Sequence, residues 1–324
     1  MTQKIEISAK TIIFAVIFLL FLKVLWVIRE LVYALFLSFI FMSALKPVVN
    51  LLERKRVPRF LAVLLLLVVV LSLISLFFTF VIPPLVQESI IFFKTLPEIM
   101  TKMIPGLSLY INADSVGSFL PDLTQNVFKV VSGVFSNFVF VITIIFFTFY
   151  FLLEEKFLRK FLDKFLEDQQ AERIVLLFEK IEARMGAWVR GELVLMIVVG
   201  VMSYIGLSLL KVKYVLSLSI IAGILEVAPI IGPVISAIPA FFVAASSSWF
   251  MGFSAIALYF LIQQLENNIV VPYVMRKAVG INPIITLIAL TIGGKLGGFL
   301  GILLAVPFAL FIETLLVEFS KMRR

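Results

Sequence analysis

An ionised side chain in the middle of an apolar run costs at least about 2.5–3.5 kcal/mol to place in lipid, so each one needs a reason. Glu266 is such a group. It sits well inside the apolar run 249–271, with Gln263, Gln264, Asn267 and Asn268 beside it. A carboxylate there can hold a cation or a proton, or it can serve as interhelical glue with the neighbouring amides. Gln264 and Asn268 are four apart, so they share one face of a helix. Glu226 faces the same choice at the head of the interruption Glu226-Val227-Ala228-Pro229-Ile230-Ile231-Gly232-Pro233. Lys295 lies in the glycine run 293–298, among Gly293, Gly294 and Gly297. It can hold an anionic or hydroxylated solute beside backbone groups freed by the glycines, or it can be a loop lysine in water. Lys23, inside the first apolar run, reads as a snorkelling side chain.

Other chemistries are closed to this chain. It has no cysteine and no histidine, which removes disulfides, thiol chemistry, the usual zinc sites and histidine acid–base catalysis. It carries no P-loop, nucleophile elbow or HExxH pattern, so neither an enzyme nor a cofactor is expected. With no ATP site, transport would be secondary or passive. The net charge of +8 comes from basic residues placed beside apolar runs. That placement fits topology and anionic lipid headgroups, with no nucleic-acid partner.

The elements that must position these groups are transmembrane helices. Hydrophobic residues make up 62 % of the 324 residues, too many for a soluble domain to hide. Runs 11–28, 31–49, 60–82, 130–153, 191–210 and 249–271 are each of spanning length, about 20 residues. The first is too long for a signal-peptide core. Residues 83–129 carry apolar residues at helical spacing and predict an amphipathic surface segment outside the membrane. Residues 154–190 are charge-rich, and two apolar stripes predict two amphipathic cytoplasmic helices. Three regions follow: a four-span scaffold over 1–153, the helices of 154–190, and a transport region over 191–324. Basic loops at 53–59, 154–190 and the C-terminus place both termini in the cytoplasm by the positive-inside rule.

Two runs are too short or broken. Limbs 214–225 and 234–245 each cover roughly 20 Å, less than a hydrocarbon core of about 30 Å. A second pair, 283–292 and 299–317, meets at the glycine run. The order is span, interrupted hairpin, span, interrupted hairpin. If both hairpins are re-entrant, the two halves are inverted repeats, and their breaks point to a transporter's binding site. Glu226, Pro229, Gly232, Pro233, Gln264, Glu266, Asn267, Asn268, Gly293, Gly294, Lys295 and Gly297 are the candidate substrate- or ion-binding residues. If the breaks are surface turns, Glu226 and Lys295 are simply wet. The expected fold is therefore all-α: a polytopic membrane helix bundle with about six full spans and two interrupted hairpins.

Several motifs resemble the autoinducer-2 exporter family of bacterial inner-membrane proteins. They are Pro83-Pro84-Leu85, Arg190-Gly191-Glu192, the 226–233 interruption, Gln264-Leu265-Glu266-Asn267-Asn268 with Pro272, Gly280-Ile281-Asn282-Pro283, the glycine run, and Ala305-Val306-Pro307. The resemblance implies export of a small polar solute like autoinducer-2, or sodium/proton antiport, by elevator-like protomers. It also implies a homo-oligomer, with a pentamer as one form. The chain departs from the family where it has Ile230 in place of a tyrosine and Asn282 in place of a histidine. Two rivals are a non-transporting membrane scaffold docking partners on 154–190, and a channel with a polar pore on a symmetry axis.

Overall fold

The computed structural model describes residues 9–80, 83, 87, 91, 138–229, 231–275 and 282–322. The amphipathic segment expected over 83–129 lies almost entirely outside them, as do Ile230, Arg276, Lys277, Gly280 and Ile281. Among the described residues all regular structure is helical, and the chain is an all-α membrane helix bundle.

Helices α1 (Ala9–Val27), α2 (Arg29–Arg54) and α3 (Arg59–Phe80) follow the first apolar runs closely. Helix α1 is apolar on every side and exposes Phe14, Leu19 and Val27, as a helix in lipid or against another copy would. After α4 (Phe138–Leu153) comes the short α5 (Phe157–Leu162). Helix α6 then runs unbroken from Asp168 to Leu209, 42 residues or about 63 Å. The sequence reading divides this stretch at 190 into an amphipathic helix and a span; the chain instead builds one rod. The physical reason is plain: no proline interrupts 168–209, and lone glycines bend helical preference without stopping it.

Helix α6 is the spine of the bundle. Its first half packs Leu177, Ile181 and Met185 against Leu37 and Ile40 of α2. Its second half packs Val199 and Leu207 against the first hairpin and α9 (Trp249–Leu265). Half-buried ion pairs pin the first half: Lys46 of α2 to Glu182 at 2.8 Å, and Arg184 to Glu313 at 3.0 Å. Arg59 closes the neighbouring corner by donating to the Leu152 carbonyl at the end of α4 and to Glu53. A cation there also complements the negative end of that helix.

The first hairpin is α7 (Val215–Leu225) and α8 (Ile231–Ala245), joined by a turn at 226–229. Neither limb is long enough to cross a membrane. The turn is tight: a Cβ added to Gly232 would lie 2.0 Å from the Leu225 carbonyl oxygen.

The second hairpin is hidden in one long helical stretch, Pro283–Met322. It divides at Gly298, with φ 57° and ψ −134°, into α11 (Ile284–Gly298) and α12 (Leu300–Lys321). The limbs fold back on each other, since a Cβ on Gly293 would lie 2.3 Å from the Gly301 carbonyl oxygen. The break expected across 293–298 therefore narrows to a single residue. Gly293 is used for close packing on Gly301, and only Gly298 for its backbone freedom. No atom lies within 4 Å of a Cβ on Gly298, so its replacement meets strain and no clash. Gly298→Ala is expected to cost about 1–3 kcal/mol from the backbone alone, read as a lower thermal midpoint in detergent.

Candidate functional site: a buried carboxyl cluster

Three carboxyl groups from three elements meet inside the bundle. Glu192 stands on α6, Glu226 heads the turn of the first hairpin, and Glu266 follows α9. Their residues are 4 %, 1 % and 3 % exposed. The Glu226 and Glu266 carboxyl groups come within interaction range of each other, and Glu192 lies within electrostatic reach of both. Gln263 Nε2 donates to Glu266 Oε2 at 3.1 Å. Glu192 Oε1 and Glu226 Oε2 are buried with no hydrogen-bond partner. Among the described residues no lysine or arginine pairs with any of the three.

The chain builds this meeting point by local devices. Pro47 lies inside α2 and has no N–H, so the Ser43 carbonyl four residues earlier loses its helical donor. Arg190 of α6 takes its place, donating to the Ser43 and Ala44 carbonyls at 3.2 and 3.1 Å. Gly186 permits the approach, since a Cβ there would lie 2.1 Å from the Ser43 oxygen. The nearest basic residue in sequence is thus spent on backbone, two positions before Glu192. Next to it, Gly191 leaves room for Met275, whose sulfur would sit 2.5 Å from an added Cβ. This contact brings the chain beyond α9 across α6 and sets Glu266 beside Glu192.

That chain is not regular α-helix. Glu266–Val270 forms a π-helical segment, followed by α10 (Val271–Val274). A π segment inserts one residue into the turn and redirects the side chains around it, and such segments concentrate at functional sites. The polar run divides at the start of this segment. Gln263 and Glu266 face inward, while Gln264, Asn267 and Asn268 are exposed. Asn268 Nδ2 bonds Gln264 Oε1 at 3.0 Å, so the outward amides satisfy one another.

Burial of Glu226 decides where the first break lies within the protein. A surface turn would leave its carboxylate wet; this turn is enclosed. Irregular backbone at membrane depth is tolerated only under such cover. Pro229 and Pro233 flank the turn and are half-buried, and Gly232 is buried. The neighbouring Ala228 packs against Leu290, Ala305 and Val306 of the second hairpin. The second tip stands apart from the carboxyl groups. Lys295 is exposed, and Gly297 rests by the Tyr33 hydroxyl of α2. Gly293 and Gly294 face α12 across the hairpin.

Glu192 is absent from the candidates read from sequence, although the argument that singles out Glu266 applies to it equally. It appears there only within the motif Arg190-Gly191-Glu192, at the edge of an expected span, where a charge reads as wet. Once α6 is continuous, Glu192 is interior.

Chemically, two carboxyl groups held this close can share a proton, and the free oxygens of Glu192 and Glu226 are acceptors for another proton or a small cation. Among the described residues no basic side chain neutralises the group. Among the described residues no set of three acidic side chains has the geometry of a metal cage.

Residues 14–321, nearly the whole chain, match the family described as AI-2E family transporter. The chain belongs to that family. Similar AI-2E-type proteins include YueF of Bacillus subtilis, 29 % identical over 85 % of this chain and 80 % of YueF. A Thermotoga maritima protein is 27 % identical over 90 % of this chain and 89 % of its own. YrrI of Bacillus subtilis is 26 % identical over 64 % of this chain and 58 % of YrrI, so that match spans little more than half of the relative. All three are provisionally named transport proteins. The AI-2E family assignment makes this a membrane transport protein and points away from an enzyme.

Proposed function

We propose that this chain is a secondary transporter of the bacterial inner membrane, with both termini cytoplasmic, that couples solute movement to protons at Glu192, Glu226 and Glu266. The observation that carries the reading is the convergence of three buried carboxyl groups, two of them with free oxygens and, among the described residues, none with a basic partner. A static structural role would be filled more cheaply by an ion pair or by apolar residues. Two of the three groups sit at interruptions of regular α-helix, the turn of the first hairpin and a π segment, so a change of protonation acts where the backbone is least regular. The solute is a small polar molecule like autoinducer-2, moved outward in an elevator-like step of the hairpins. The apolar outer faces of α1 and α3 supply the contacts with lipid and with further copies in a homo-oligomer. Sodium/proton exchange at the same cluster is the second reading. It draws on the free Glu192 and Glu226 oxygens.

The test is transport by the purified chain in liposomes, with autoinducer-2, sodium and protons supplied in turn. Solute flux that rises with an imposed pH gradient and vanishes with its collapse supports the reading. Flux indifferent to the gradient, or none for all three cargoes, counts against it.

A further inference from the structure

The carboxyl cluster does not end the buried polar groups along α6 and α9. On α9, Tyr259 lies four residues before Gln263 and seven before Glu266, all on the inward face. On α6, Ser203 occupies the facing position, between Val199 and Leu207 of the same core. Ser203 is 0 % and Tyr259 5 % exposed. Their hydroxyls come within interaction range of each other across the interface, yet neither closes a hydrogen bond of normal geometry. Their buried neighbours in this core include the aliphatic Val199, Leu207, Ala255 and Ile262. Alanine and phenylalanine would fill those two places without burying an unsatisfied hydroxyl.

We propose that the Ser203–Tyr259 pair is a proton-transfer station linking the carboxyl cluster to the membrane face where α6 ends and α9 begins. The proposal rests on the proton-coupled reading above. Position supports it: Ser203 lies six residues, roughly 9 Å, inside the Leu209 end of α6, and eleven residues, roughly 16 Å, from Glu192. That places the pair between the cluster and one face. The longer gap is partly covered by Gln263, four residues or roughly 6 Å from Tyr259 along α9, whose amide already holds Glu266. Each hydroxyl takes a proton from one neighbour and releases its own to the next, so the pair ends each passage unchanged. The charged groups facing this route are Glu192 from α6, Glu226 from the hairpin turn and Glu266 from the π segment. Among the described residues no lysine or arginine pairs with them. A packing role alone makes a different demand: it needs the ring of Tyr259 and has no use for either hydroxyl.

The experiment is a pH jump on the full chain reconstituted in liposomes, following the carbonyl stretch of its protonated buried carboxyl groups by time-resolved infrared spectroscopy. Protons are the only probe. Tyr259→Phe and Ser203→Ala are each expected to slow re-equilibration of the band by at least about tenfold. The midpoint should stay in place, and thermal stability should be equal or higher because an orphaned hydroxyl has gone. Ser203→Thr keeps the hydroxyl and should keep the wild-type rate. If Tyr259→Phe fails to assemble, Ser203→Ala decides alone. Wild-type rates in the hydroxyl-deleted variants would overturn the station while leaving the carboxyl site standing. A band that Glu266→Gln leaves untouched would overturn the carboxyl reading itself.

Discussion

Glu266→Gln is expected to reduce proton-coupled flux to that of protein-free liposomes while the chain still expresses, assembles and melts like the wild type. The amide keeps the size of the side chain and its oxygen can still accept from Gln263, so the packing around the π segment survives. What it loses is the proton. A ligand shifts a conformational equilibrium only by its differential affinity for the two states, and a group that cannot be protonated gives the proton no such preference. Glu226→Gln should have the same effect, because the two groups are neighbours in one buried cluster and act as a unit, for which losses do not add. If the three carboxyl groups were only structural glue, the amides would substitute well and flux would be retained. A variant that fails to fold would place Glu266 in the architecture.

Gly301→Ala is expected to disrupt the second hairpin. The added Cβ would lie 1.9 Å from the Gly293 carbonyl oxygen, and backbone cannot swing aside as a long side chain can. Overpacking in a close-packed interior typically costs about 1–3 kcal/mol, and a clash with backbone on both limbs belongs at or above the upper end. Gly294→Ala is the control. Its Cβ would meet Ile302 at 3.3 Å, a side chain with rotamers to spare, so the loss should be well under half as large. Thermal melting of the detergent-solubilised chain compares the two. Equal midpoints for both variants would mean that the limbs do not meet at Gly293 and Gly301.

Hydropathy made the all-α membrane bundle readable, because no solvent but lipid accepts so apolar a chain. The family likeness was readable from the second-half motifs, and the match over residues 14–321 establishes it. Glu226 and Glu266 stood out for one physical reason, the cost of a charge inside an apolar run. Glu192 obeys the same rule but was masked by Arg190 and Gly191, which look like the polar edge of a span. The signal that would have recovered it is the absence of proline between 168 and 209, which permits one helix and carries Glu192 inside. The π segment had no sequence signature, since Glu266-Asn267-Asn268-Ile269-Val270 is equally compatible with an α-helix. Gln263 and Gln264 lie before it on regular helix, where Gln263 follows Tyr259 on the inward face and Gln264 does not. The glycine run announced a hairpin without saying which glycine turns. That depends on which pair of backbones touches, a tertiary fact. Ser203 and Tyr259 are ordinary residues of an apolar helix until both hydroxyls are seen to be buried and unsatisfied.

The central claim is that the buried carboxyl groups carry a proton in step with the cargo. The direct measurement is simultaneous recording of cargo and proton movement in liposomes containing the wild-type chain, with a pH dye trapped inside and autoinducer-2 or sodium supplied outside. The account predicts that cargo movement is accompanied by protons in a fixed ratio and that Glu266→Gln removes both fluxes together. Cargo moving at the full rate with no proton movement, equally in wild type and Glu266→Gln, would contradict it.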